Sequence, residues 1–193
     1  MYSSQRHWEG VKDIFRYLKG SSTLGITYGN TSYVSVTDRN KLIAYSDSDW
    51  AGCPDSRRSI SGYVIMLNCG PVQWKAKAQS IIAVSSTEAD YIAASTVCNE
   101  LVWMKRIMLF LAYSQNNTRL YVDNKSAICI ASSSKDDRRT RHIDVRHHLI
   151  KGLVSTKQID LQHISGNDNP ADIFTKPETV KMFLSMRNIL MRF

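Results

Sequence analysis

The sequence predicts a mixed α/β (α+β) protein: one five-stranded sheet in the strand order 3-2-1-4-5, with helices on its faces. Three observations lead there. The β-rich runs in KLIAYSDSDWAG (41–52), SGYVIML (61–67) and PVQWK (71–75) follow one another across short turns with no room for crossover helices, so they form an antiparallel meander. Ser85 to Leu111 carries apolar residues at helical spacing over the longest periodic stretch of the chain. Two later apolar runs, TRLYVD (118–123) and KQIDLQHIS (157–165), are each preceded by a helical pattern, which is the order of a parallel βαβ arrangement.

Taken in order, residues 5–19 repeat Trp8, Val11, Ile14, Phe15 and Leu18 at three- and four-residue spacing, and Gly20 supplies a stop: an amphipathic helix. Residues 20–40 are rich in Ser, Thr, Gly and Asn around two strand-like pieces, LGITYG and SYVSVT, a linker or sheet-edge hairpin with a boundary near residue 40. In the first core strand an apolar run from Leu42 to Tyr45 ends in Asp47 and Asp49. A strand has a side-chain period of two, so both carboxylates leave the same face. Two like charges there persist most readily beside a cation, although a strand running into a polar turn is the ordinary alternative. Arg57 and Arg58 follow in a basic turn; with Lys75 and Lys77 they offer a phosphate-facing surface or simply solvated strand ends.

The long helix carries a stripe of Ile92, Ala93, Val97, Leu101, Met104, Met108 and Leu111, which is core contact with the sheet. It opens SSTEADY, in which Ser85 and Glu88 fit a capping box, and so do Thr87 and Asp90. Asp123 ends the next strand, and Asn124 caps the short helix KSAICIAS. A charged loop from Lys135 to His142 precedes a helix marked by Ile143, Leu149, Ile150, Leu153 and Val154. After the last strand, Asn169 caps a helix with Pro170 at its first position and Asp172 in its first turn, where the helix dipole favours a carboxylate. The tail from Val180 to Phe193 is an amphipathic helix with basic ends.

The 193 residues suit one domain, or one domain with an appendage. No apolar run is long enough for a membrane span, and the N-terminus lacks the apolar core of a signal peptide. The cysteines (Cys53, Cys69, Cys98, Cys129) are scattered without a CxxC pair, which points to reduced intracellular thiols rather than a zinc site or disulfide framework. A formal net charge of +8 favours a polyanionic partner, nucleic acid or a membrane surface.

Singly, each acid has a structural explanation. Jointly, the predicted sheet brings Asp47, Glu88, Asp123 and Asp172 towards one edge, the carboxyl ends of adjacent parallel strands. Carboxylates so crowded repel unless cations lie among them. Two hard divalent ions such as Mg²⁺ resolve this and suit phosphodiester hydrolysis, activating a water and stabilising the leaving oxygen.

The pieces YSDSDWAGCPDSRRSISGYVI, SSTEADYIAAS, LYVDNKSAICIA, TRHIDVRHH and NPADIFTKP, in that order, resemble the ribonuclease H domain of copia-type (Pseudoviridae-like) LTR retrotransposon polyproteins. HWEGVKDIFRYLKG resembles the segment joining the polymerase to that domain, so the likeness runs over about residues 7–178. The resemblance implies a ribonuclease H-like fold and an endoribonuclease that cleaves the RNA strand of RNA–DNA hybrids during reverse transcription, using two Mg²⁺ or Mn²⁺ ions. It divides the chain into a connection segment (1–40), the ribonuclease H domain (41–178) and a C-terminal helical tail (179–193). Asp47, Glu88, Asp123 and Asp172 match the four metal-binding carboxylates, with Asp47 and Asp123 the most central, and Asp49 is a supporting or alternative ligand. Contacts to 2′-hydroxyls fall to Gln79, Asn124 and Ser126, and contacts to phosphates to Arg57, Arg58, Lys75, Arg138, Arg139 and Arg141.

One departure from the family pattern is the short interval from Gly166 to Asp172, which lacks the histidine that cellular ribonucleases H carry before their last carboxylate. His142, His147, His148 and His163 are the candidates to replace it. The implied partner is the reverse transcriptase polymerase of the same polyprotein. The implied location is intracellular, a cytoplasmic virus-like particle if the element is active. Two other readings stay open. One is a non-catalytic nucleic-acid-binding remnant of a retroelement, which a chain starting within the connection and ending soon after the last motif would fit; the other is a DNA-acting nuclease of the same fold.

Overall fold

A three-stranded meander forms one half of the sheet, and two parallel strands form the other. The computed structural model describes residues 5–29, 40–133 and 144–191, with 144–147 as helix backbone alone. Strands β1 (Ile43–Asp49), β2 (Ile60–Leu67) and β3 (Gly70–Ala78) pair antiparallel, with Asp47 opposite Gly62. Asn68 and Cys69 both take positive φ at the β2–β3 hairpin, as the tight two-residue turn requires. Helix α2 (Ser86–Phe110) then crosses to β4 (Thr118–Val122), which lies parallel to β1. Helices α3 (Lys125–Ser132) and α4 (Asp144–Ser155) lead to β5 (Ile159–His163), parallel to β4. The strand order is β3-β2-β1-β4-β5, as the sequence predicts.

Period-two alternation gives the sheet two working faces. Ala44, Leu120, Val122 and Ile159 face the main core, closed by Val97, Leu101 and Met108 of α2 and by Ala127, Ile150 and Leu153 of α3 and α4. On the opposite face Val64 and Met66 pack with Ile43, Tyr45, Phe174 and Leu190. Leu190 belongs to α5 (Val180–Leu190), which Thr179 caps through the Met182 N–H. No helix among the described residues is long and apolar enough to cross a membrane.

Three local expectations change. The stretch LGITYG is not a strand; it runs beside the β2–β3 hairpin, with the Gly29 N–H donating to Asn68 O and the Tyr28 hydroxyl to Pro71 O. The segment after Pro170 is a single 3₁₀ turn, Asp172–Phe174, not an α-helix, and Pro177 disfavours helical backbone at Lys176 just beyond it. Helix α1 (Gln5–Gly20) forms as its periodicity predicts, yet it buries none of its residues. SYVSVT and the charged loop through His142 lie outside the described residues.

Candidate metal centre

Asp47, Asp123 and Asp172 meet at the carboxyl edge of β1 and β4, each with a carboxylate oxygen within 4.8 Å of the others. Three elements deliver them. Asp47 is the fifth residue of β1 and shares the face of Ile43 and Tyr45, looking towards the 171–175 turn. Asp123 directly follows β4, which runs parallel to β1 and so ends at the same edge. Asp172 arrives on the 3₁₀ turn after β5.

That turn is fastened to the sheet by two side chains. Asn169, fully buried, donates from Nδ2 to Ser46 O at 3.0 Å while its Oδ1 accepts the Ala171 N–H at 3.1 Å. The Thr175 hydroxyl bonds Asp47 Oδ2 and lies 2.9 Å from Asp172 O. Gly62 makes the close approach possible. A Cβ there would come within 2.7 Å of Thr175 Cγ2 and 2.8 Å of Phe174 Cβ.

The electrostatics are those of crowded acids. Burial pushes the Asp47 carboxyl up to about 7; the Thr175 hydrogen bond opposes this, and the charges of Asp172 and Asp123 add to it. Burial also raises Asp123, with Asp172 adding and Lys176 and His163 pulling back. The ammonium of Lys176 stands 2.9 Å from Asp172 Oδ2. Burial acts to lower the Lys176 pKa but is outweighed by Asp172, Asp47 and Glu178, so it rises. Asp172 Oδ1 is buried with no hydrogen-bond partner. Hard oxygen donors, mutual repulsion and an orphaned carboxylate oxygen together fit a divalent cation of the Mg²⁺ type.

Glu88 does not join this group. Ser85 Oγ accepts the Glu88 N–H, and Glu88 Oε2 accepts the Val84 N–H at 2.8 Å, so its carboxylate folds back over the start of its own helix. Asp90 is the α2 acid turned towards the ends of β1 and β4. Its oxygens accept from Ser48 Oγ at 2.6 Å and Asn124 Nδ2 at 2.9 Å. Burial raises its carboxyl to about 6; the Ser48 and Asn124 hydrogen bonds oppose this, while the Asp123 charge adds to it. Strand alternation explains the pairing: Asp47 faces the 171–175 turn, so Ser48 faces α2. The sequence leads one to expect Glu88 here; the signal for Asp90 is present in SSTEADY, where Thr87 and Asp90 form a second capping box overlapping that of Ser85 and Glu88.

Asp49 also lies outside the group. Its carboxylate occupies the space over Gly52, where a Cβ would come within 2.0 Å of Asp49 Oδ2. Two residues expected to touch substrate are engaged internally. Gln79 is buried and donates to Ser61 Oγ and Ala89 O, tying the end of β3 to α2. Asn124 caps α3 through Oδ1 and holds Asp90 through Nδ2. Ser126, Arg57 and Arg58 are exposed, and Lys75 lines a cavity of about 160 Å³ with Lys77, Tyr63 and Thr96. His163 is the histidine whose charge bears on Asp123, and it pairs with Val122 in the β4–β5 ladder. His148 is exposed on α4. Arg138, Arg139, Arg141 and His142, and the side chain of His147, lie outside the described residues. Lys176, Thr175 and Asp90 are the site residues that the sequence did not single out.

Comparison with models of protein families found no match. Among individual proteins, the chain is 38% identical over 172 residues to the retrovirus-related Pol polyprotein from transposon TNT 1-94 of Nicotiana tabacum, covering 89% of this chain and 12% of that protein. It is 33% identical over 172 residues to the corresponding polyprotein from transposon RE2 of Arabidopsis thaliana, covering 89% of this chain and 11% of the relative. The chain thus spans only a small part of the length of these relatives. Among solved structures, ribonuclease H1 LC11, isolated from compost by a metagenomic approach, superposes with a TM-score of 0.54 at 16% identity, over 70% of this chain and 93% of that one. The same ribonuclease in complex with an RNA/DNA hybrid gives a TM-score of 0.51 at 14% identity, over 69% and 93%.

Proposed function

Since this chain is a homologue of the Pol polyproteins of plant copia-type retrotransposons and has the ribonuclease H fold, we propose that it hydrolyses the RNA strand of RNA–DNA hybrids in a divalent-metal-dependent reaction. The observation that carries this reading is the convergence of Asp47, Asp123 and Asp172 within 4.8 Å, with an unpartnered buried oxygen on Asp172. These three would hold the metal, and Asp90 rather than Glu88 is proposed as the fourth carboxylate. Two Mg²⁺ or Mn²⁺ ions bound there would activate a water and stabilise the leaving oxygen of the phosphodiester.

The chain's own residues do the rest. Ser48 and Asn124 fix the orientation of Asp90, and Thr175 fixes that of Asp47. Lys176 offsets the negative charge of the cluster and stands close enough to follow changes in it. Exposed Arg57, Arg58 and Lys75 are proposed phosphate contacts, and the excess positive charge predicts an affinity that falls steeply with salt. We also place residues 1–40 as the connection to a polymerase in the same polyprotein, residues 179–193 as a C-terminal helical tail, and the activity, if the element is active, in a cytoplasmic virus-like particle.

The test is Mg²⁺-dependent cleavage of a labelled hybrid by the wild type beside Asp123→Asn. The expected result is loss of cleavage with hybrid binding retained. Equal cleavage by the two proteins rules the assignment out, and binding without cleavage by the wild type favours a non-catalytic remnant. Preference for duplex DNA would point to the DNA-acting branch of the fold.

A further inference from the structure

We infer that Trp50, on the loop that leaves β1 just after Asp47, is an apolar contact for the minor groove of the bound hybrid and distinguishes hybrid from duplex DNA. This rests on the function proposed above and adds to it a residue outside the metal-binding set. Trp50 follows β1 three residues after Asp47, and the residue is 49% exposed. It is not a loose surface side chain. The indole N–H donates to Ala83 O at 3.0 Å, the Ala51 N–H donates to Ser59 Oγ, and Ala51 takes a positive φ of 54°.

The turn is filled from beneath by Asp49 over Gly52, and the loop that receives the indole is held by Glu88 on the Val84 N–H. Two acids that do not reach the metal group therefore hold this aromatic in place. Either side of Ala83, Ile82 and Val84 are 59% and 74% exposed, so large apolar side chains flank the residue that receives the indole. The same 50–59 loop carries exposed Arg57 and Arg58, closed by the Cys53 N–H to Arg58 O bond. A rigid apolar surface between cations and a metal-binding edge complements a polyanion whose sugars are accessible. The broad, shallow minor groove of an A-like duplex presents them, whereas the narrow minor groove of B-form DNA admits an indole poorly.

The experiment compares Trp50→Ala, and Ile82→Ser with Val84→Ser, in the Asp123→Asn background. Fluorescence anisotropy is read on a labelled RNA–DNA hybrid and on duplex DNA of the same sequence across a salt series. Trp50→Ala should weaken hybrid binding about tenfold, the scale of one lost aromatic contact. Duplex DNA binding should be unchanged, and the slope against salt should stay parallel, since no phosphate contact is removed. The double serine variant changes only exposed side chains and should weaken hybrid binding in the same sense. Unchanged hybrid binding in both variants, an equal loss on DNA, or a shallower salt slope overturns the inference. Hybrid cleavage by the wild type, together with normal hybrid binding by Trp50→Ala in the Asp123→Asn background, sinks this inference alone, whereas a wild type that neither binds nor cleaves the hybrid sinks both.

Discussion

Asp90 and Glu88 lie two residues apart at the start of one helix, and their fates differ because two residues of α-helix turn the side chain through about 200°. Asp90 meets Ser48 and Asn124 at the sheet edge, while Glu88 satisfies the Val84 N–H. Asp90→Asn should therefore lower hybrid cleavage about 100-fold or more with the fold intact. Glu88→Gln should keep cleavage within a few-fold and lose about 1 kcal/mol of stability, as weakening of a helix-start contact does. Single-turnover cleavage beside thermal denaturation checks both, and the opposite pattern would return Glu88 to the site. In the sequence Glu88 is the acid expected in the metal set, although Asp90 closes a capping box just as Glu88 does, each with the residue three before it. The pair Asp47 and Asp49 has the same history. They share a strand face, but the chain leaves the strand at Asp49, which then packs over Gly52.

At the scale of elements, the site depends on how closely the 171–175 turn lies on β1 and β2. Helix α2 and strand β4 are fixed by the main core, whereas this turn is held by Asn169 on Ser46 O, Thr175 on Asp47, and the fit over Gly62. Gly62→Ala places a methyl group within 2.7 Å of Thr175 Cγ2 and 3.0 Å of Ala171 O, so the turn must lift. The expected cost is about 1–3 kcal/mol, as for other overpacked positions. Because Asp172 rides on the turn, Mn²⁺ affinity should fall as well, measurable by electron paramagnetic resonance or calorimetry. Loss of stability with unchanged metal affinity would show that Asp172 is held by something else. Asn169→Ala should weaken metal binding in the same sense, since the buried Ser46 carbonyl loses its side-chain donor.

For the whole molecule, the acids that suit metal binding destabilise the metal-free fold at neutral pH. Asp47 is raised to about 7 and Asp90 to about 6, burial being the largest cause in each. The folded protein therefore keeps protons there that the unfolded chain has released. The stability these protons contribute is complete near pH 4 and is lost as pH rises to about 6 for Asp90 and about 7 for Asp47. Metal-free protein should become less stable over that window, on the order of 4 kcal/mol for Asp47, and Mg²⁺ should restore the loss at pH 7 by binding only the folded state. Chemical denaturation between pH 4 and 8, with EDTA and with Mg²⁺, gives the two curves. In Asp47→Asn the fall with pH in EDTA should be reduced, and a fall of wild-type size would place its origin elsewhere.

What the sequence determined by itself was the sheet, its strand order and the edge at which acids gather. Those follow from local rules: period-two strands, turns too short for a crossover, helices between parallel strands, and Asp47 and Asp123 at strand ends. Tertiary structure alone decided which acid of each close pair turns inward, that Asn124 and Gln79 are spent on the protein's own framework, and that Lys176 faces Asp172. The contact between Asn169 and Ser46 joins residues 123 positions apart, and Thr175 reaches Asp47 across 128. Periodicity and capping act over a few residues and set where a side chain starts. The hydrogen bonds that fix where a carboxylate points form only when distant segments pack.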